Sequence, residues 1–211
     1  MIARNTTGHG FRVVWVWAAL LTLLAIAVKG RWLSAADQGI AQGMAAIRTP
    51  GFDEVARALT FFGSSPWVLG VMVVMSLCWR RRRALLAVFW GTWLLGFAMQ
   101  ILLRLWVAQW RPDTVVVPVA ADLMTRFDLA GFTSGHAYRS AFLYGWWAGS
   151  LTRPQVPWAI WGRLGCLVLI ALVGLGRVYL NRHWFSDVLG AWLLALLVLS
   201  LATWLRHRLH D

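Results

Sequence analysis

Six apolar stretches divide the chain: Phe11–Val28, Phe61–Trp79, Ala84–Leu103, Ala137–Leu151, Trp158–Leu175 and Val188–Leu205. Crossing a bilayer as a helix takes about 20 predominantly apolar residues. Phe61–Trp79 reaches that length only by including Gly63, Ser64, Ser65 and Pro66. Ala137–Leu151 is short and draws on Gly135, His136 and Thr152. The pattern predicts an all-α, polytopic membrane protein with six transmembrane helices. Between the first two spans, Ile40, Met44 and Ile47 recur at helical spacing, with Asp37 placed to cap the segment and Thr49-Pro50-Gly51 to end it. This predicts a short helix lying on the membrane surface. No polar segment is long enough for a second domain, so residues 1–211 read as one membrane-embedded unit. Lys29 and Arg31 follow the first stretch without a small-residue cleavage site, so it reads as a retained helix rather than a signal peptide.

Composition supports this reading. The chain is 60% hydrophobic and 13% charged, too apolar for disorder or for a soluble domain of this size. Many of the 16 tryptophans fall at span ends, among them Trp15, Trp17, Trp79, Trp106, Trp110, Trp158 and Trp204, as in an interfacial aromatic belt. Cys78 and Cys166 lie in apolar runs and read as small buried hydrophobes, without disulfide or zinc spacing. The pattern does not set an oligomeric state.

The net charge is +12, and of 20 basic residues only Lys29 is lysine. Nucleic-acid binding fits poorly, because the arginines interrupt apolar runs instead of forming a stripe. An anionic lipid surface or an anionic substrate fits better. Six spans put both termini on one side, and the basic residues then divide ten to ten, with Arg4, Arg153 and Arg80 to Arg83 on the terminal side and Arg126 on the other. Arg80 to Arg83 fill a very short loop, where the positive-inside rule acts most strongly. The expectation is therefore cytoplasmic termini, with 29–60, 104–136 and 177–187 facing outward. The short, Arg-rich chain without an organellar signal suggests a bacterial inner membrane.

Three polar clusters stand beside span ends on that outward side, where ionisable groups are costly and point to function. They are Arg104 with Arg111-Pro112, Thr133-Ser134-Gly135-His136, and Arg177 with His183 and Asp187. Guanidinium forks match a phosphate bidentately. A helix beginning at Ser134-Gly135 offers free N–H groups to an anion, and glycine permits close backbone approach. His183 and Asp187 share a helix face, so the carboxylate fixes one ring nitrogen and leaves the other as a nucleophile. His136 is placed to protonate a leaving oxygen. Arg139, one turn beyond His136, and Arg182, beside His183, are candidates for a second phosphate or a headgroup; contact with anionic lipid is the alternative for each. A metal site fits poorly: the clusters offer two histidines, few carboxylates and many repelling arginines.

Taken together these residues resemble the type 2 phosphatidic acid phosphatase superfamily of integral-membrane lipid phosphatases. Its motifs are a Lys, six residues and Arg-Pro; Pro-Ser-Gly-His; and Ser-Arg, five residues, His, three residues, Asp. Arg104 to Arg111-Pro112, Ser134-Gly135-His136, and Arg177 to His183 to Asp187 repeat these in order and spacing. Arg104 stands in place of Lys, Thr133 in place of Pro and Gly176 in place of Ser. The resemblance implies a phosphatase needing no metal or other cofactor. His183 would be the nucleophile forming a phosphohistidine, Asp187 its orienting group and His136 the acid and base. Arg104, Arg111, Ser134, Gly135 and Arg177 would hold the phosphoryl oxygens. The implied substrates are lipid phosphates or diphosphates of the undecaprenyl diphosphate, phosphatidylglycerophosphate or phosphatidic acid type, met at the outer leaflet. A lipid phosphotransferase on the same scaffold, a vanadate haloperoxidase and a non-enzymatic membrane scaffold or transporter are the other readings. The relatives of the haloperoxidase kind are soluble, and the last reading leaves the clusters unexplained.

Overall fold

The computed structural model describes residues 6–114, 125, 129–150 and 156–209. Arg4, Arg126 and Arg153, used in the orientation argument, and the expected span end at Leu151 lie outside them. Eight helices occur among the described residues: α1 Thr6–Lys29, α2 Ser34–Ala46, α3 Pro50–Phe61, α4 Ser65–Cys78, α5 Arg83–Val107, α6 Gly135–Ser150, α7 Pro157–Tyr179 and α8 Phe185–Arg208. Proline opens α3, α4 and α7, where its missing N–H is not needed. Thr49 caps α3 by accepting the Phe52 N–H at 3.3 Å. Ala108 (φ 52°) and Asn181 (φ 57°) turn the chain in the left-handed region just past α5 and α7. Those two turns release the segments that carry the arginine and histidine motifs.

α6 and α8 form the centre. α8 buries Val188, Ala191, Leu194, Ala195 and Val198, and α6 buries Ala137, Tyr138, Phe142 and Leu143. α1 and α5 pack on α8, α7 and α4 pack on α6, and α3 lies along α7. Gly96 of α5 lets the Tyr138 ring of α6 approach, and the Tyr138 hydroxyl donates to the Trp93 carbonyl at 3.2 Å. The outer surfaces keep large apolar groups exposed, among them Leu23, Leu77, Leu102 and Trp161. That is the arrangement expected when the solvent is hydrocarbon.

Four expectations change in detail. Among the described residues, five helical segments are long and apolar enough to cross a bilayer: Phe11–Lys29, Pro50–Cys78, Arg83–Val107, Pro157–Tyr179 and Phe185–Arg208. The fourth expected span corresponds to α6, whose 16 residues extend about 24 Å at 1.5 Å each. The second span begins earlier than expected, because α3 runs into α4 through a break at Phe62–Ser64. Pro66 cannot continue a helix from α3. The carbonyls freed at the break find other donors: Phe62 O takes the Tyr144 hydroxyl at 3.0 Å, and Gly63 O takes Arg139 Nε at 3.0 Å. Of the expected surface segment only α2 stands apart from this span, and Asp37 does not cap its own helix. Cys78 is exposed on the outer face rather than buried.

Candidate active site

Asp187 lies in the first turn of α8 and is fully buried. Its Oδ2 accepts the Trp184 backbone N–H at 3.0 Å and lies 3.3 Å from Nδ1 of His183. One carboxylate oxygen therefore serves as a helix cap and as the acceptor for the imidazole. His183, 3% exposed, keeps its proton on Nδ1 and presents Nε2 as a lone pair. The Asp187 carbonyl accepts the Ser134 N–H at 3.0 Å, which joins this pair directly to the Ser134-Gly135-His136 segment. Gly131 makes that junction possible, since a Cβ there would lie 2.6 Å from Asp187 Oδ2. A Cβ at Gly190 would likewise meet the Phe132 ring at 2.6 Å.

The arginines arrive from three directions. Arg104 ends α5, and its Nη2 donates to the Thr133 carbonyl at 3.1 Å. Gln100, one turn earlier, donates to the same carbonyl at 3.1 Å and to the Thr133 hydroxyl at 3.0 Å. Arg111 follows the Ala108 turn. Its segment is pinned by the Arg111 N–H to the Leu129 carbonyl at 3.2 Å and by the Trp184 indole to the Trp110 carbonyl at 2.7 Å. Arg177 ends α7. Arg111 Nε, Arg177 Nε and the Ser134 hydroxyl are buried and have no hydrogen-bond partner among the described residues. Buried donors left over in this way suit a multiply charged oxyanion. The N–H groups opening α6 at Gly135 and His136 add a helix N-terminus to the same place.

Burial, and then the charges of Arg177, Arg111 and Arg104 with His136 beyond them, hold the His183 imidazole well below its ordinary value of 6.5. The ring is neutral and nucleophilic at neutral pH. The sign follows: protonation, which would silence it, begins only below the ordinary histidine range. The acid limb of kcat/KM is therefore expected below pH 6.5. A pH–rate profile checks this, and a loss of activity centred above 6.5 would contradict it.

Arg139 sits beside the cradle, held by Gly63 O, with Nη2 3.4 Å from His136 Nδ1. Arginine only donates, so Nδ1 of neutral His136 accepts and its proton is on Nε2. Arg182 stands at the rim, ion-paired to Asp113 at 2.8 Å and half exposed. The site thus gathers His136, His183, Asp187, Arg104, Arg111, Arg177, Ser134, Gly135 and Arg139, while Arg182 links two loops at its edge.

Two of the three motif departures, Thr133 and Gly176, acquire reasons. Thr133 supplies two acceptors to Gln100 and one to Arg104. Gly176 lets α3 lie close, since a Cβ there would be 2.8 Å from Thr60 Cγ2. Gly176→Ser is expected to push α3 away at a cost of about 1–3 kcal/mol, without raising activity. A lowered apparent Tm with unimproved kcat/KM checks this; a gain in activity at unchanged Tm would contradict it. Sequence reasoning missed Gln100, a lone amide in an apolar span four residues before Arg104, and Gly131, whose role depends on the approach of Asp187.

Residues 87–211 match the PAP2 superfamily. The chain is 29% identical over 192 residues to phosphatidylglycerophosphatase B of Bacillus subtilis (strain 168), covering 85% of this chain and 87% of that protein. Its fold is similar to the crystal structure of a transmembrane PAP2 type phosphatidylglycerolphosphate phosphatase from Bacillus subtilis. The TM-score is 0.72 at 26% identity, covering 92% of this chain and 96% of that one.

Proposed function

The chain belongs to the PAP2 superfamily, and from that premise we propose that it hydrolyses a lipid phosphate through a phosphohistidine on His183. The observation that carries the reading is the single hydrogen-bonded unit formed by His183, Asp187 and Ser134 beneath the buried donors of Arg111 and Arg177. Nε2 of His183 attacks phosphorus as the bond to the lipid oxygen breaks. Asp187 holds Nδ1–H and stabilises the charge that develops on the ring. Arg104, Arg111, Arg177, the Ser134 hydroxyl and the α6 N–H groups carry the phosphoryl oxygens, so most of the rate comes from positioning and charge.

His136 gives its Nε2 proton to the leaving oxygen. For that it first takes a second proton at Nδ1, displacing the Arg139 contact; the incoming phosphoryl charge favours this by offsetting the surrounding arginines. It then removes a proton from water, which attacks phosphorus, breaks the P–N bond and returns His183 to its neutral form. The donor set needs no metal ion to neutralise phosphate, because guanidinium groups do so.

Phosphatidylglycerophosphate is the first candidate substrate, on the strength of the two relatives above. Undecaprenyl diphosphate and phosphatidic acid offer the same phosphoryl chemistry. The site faces the exterior of a bacterial inner membrane with both termini cytoplasmic, a reading supported by Arg80 to Arg82 in the loop between α4 and α5 and by Arg83 opening α5. Phosphate release by the detergent-purified protein with EDTA present tests this. Release from phosphatidylglycerophosphate above the other two lipids is expected. Release from none of them, or release abolished by EDTA, would overturn it.

A further inference from the structure

We propose that Asp37, on the short surface helix α2, is a positioning residue for the His183–Asp187 pair. Asp37 is 4% exposed, and both its carboxylate oxygens bond across the molecule. Oδ1 accepts the Ser186 N–H at 2.9 Å, and Oδ2 accepts the Ser186 hydroxyl at 2.6 Å. Ser186 lies between His183 and Asp187, in the first turn of α8.

The reason lies in how α8 begins. The first N–H groups of a helix lack intrahelical acceptors and are usually served by the residue preceding the helix. Here that residue is Trp184, whose indole only donates and is committed to the Trp110 carbonyl. Two carboxylates take over. Asp187 Oδ2 takes the Trp184 N–H, and Asp37 takes the Ser186 N–H and hydroxyl. Without Asp37, two donors of Ser186 would be stranded beside Asp187, the adjacent carboxylate. Asp187 Oδ1 has no hydrogen-bond partner among the described residues, so rotation toward Ser186 would cost it nothing there and would draw Oδ2 off His183. Asp37 thus keeps Asp187 for the imidazole. The positive end of α8 and the two donors offset the burial of the Asp37 charge.

The kinetic half of this claim rests on the phosphatase reading; the spectroscopic half does not. Asp37, Ser34, Gln109 and Trp184 line a cavity of about 450 Å³. An alanine at 37 therefore opens onto an existing polar space rather than a sealed void.

In Asp37→Ala, kcat is expected to fall about 10- to 100-fold, the scale of a small misplacement of reacting groups. KM should stay within about two-fold, because the arginines that grip phosphate are untouched. Asp37→Asn keeps an oxygen for the Ser186 N–H and should recover most of the loss. Ser186→Ala should fall between, and the double variant Asp37→Ala/Ser186→Ala should be no worse than Asp37→Ala alone. Independently of turnover, the Nδ1–H proton resonance of His183, assigned by its loss in His183→Ala, should shift or broaden in Asp37→Ala and return in Asp37→Asn. A folded Asp37→Ala with wild-type kcat and an unmoved resonance would overturn the proposal. So would a kcat lost only in proportion to the folded fraction. If the wild type and His183→Ala release phosphate equally, the phosphatase reading fails, and the resonance alone decides the role of Asp37.

Discussion

His183→Ala is expected to abolish phosphate release from every lipid on which the wild-type chain acts, a fall of about 10⁴-fold or more, the scale on which removing a nucleophile acts. The imidazole is oriented by Asp187 at 3.3 Å and kept unprotonated by its surroundings, which leaves the Nε2 lone pair for phosphorus. Its removal leaves the Asp187 bond to the Trp184 N–H and the Ser134 bond to the Asp187 carbonyl in place. The start of α8 therefore persists, and the variant should elute and melt much as the wild type does. The arginines also persist, so vanadate or inorganic phosphate should still protect it against heat. Turnover retained in a folded His183→Ala would remove the nucleophile from this account.

The second large effect is Asp187→Asn, expected to lower kcat by about 10²- to 10⁴-fold, by the reasoning that applies to the aspartate of a hydrolase triad. The amide preserves shape and can keep one oxygen on the Trp184 N–H, so stability changes little. What is lost is the charge that opposes the imidazolium forming as His183 attacks. Unlike the loss of an arginine, this change should leave KM nearly intact. Measuring kcat and KM separately for Asp187→Asn and Arg177→Ala checks the division: the first should reduce kcat alone, the second should raise KM as well. Equal KM defects in both would contradict it.

Most of the candidate site is readable in the sequence because its parts are local. Arg104 to Arg111, Ser134 to His136, and His183 to Asp187 are each fixed by spacing along one or two helical turns. The apolar runs were equally legible, because a bilayer demands length and hydropathy from every span on its own. What escaped were relations between elements. Asp37 looked like the cap of its own helix, and only the fold brings it to Ser186, 149 residues away. Gly63, counted into the second span only to reach its length, marks a break whose carbonyl holds Arg139 and whose missing side chain admits the His136 backbone. Arg182, a candidate for a second phosphate, a headgroup or anionic lipid, also pairs with Asp113, which follows Arg111-Pro112 in a different loop. Close approaches and long-range pairs of this kind leave no periodic trace.

The central claim is that phosphate passes through His183. The direct test is to trap it there, using His136→Ala and an aryl phosphate labelled with ³²P. An aryl leaving group needs no acid, so the first step proceeds, while the second step lacks its base and the covalent species accumulates. The account predicts acid-labile, alkali-stable label on the protein after rapid quenching, and none in a variant that also carries His183→Ala. Wild-type phosphate release with no label on His136→Ala at any quench time, or label surviving the loss of His183, would contradict it.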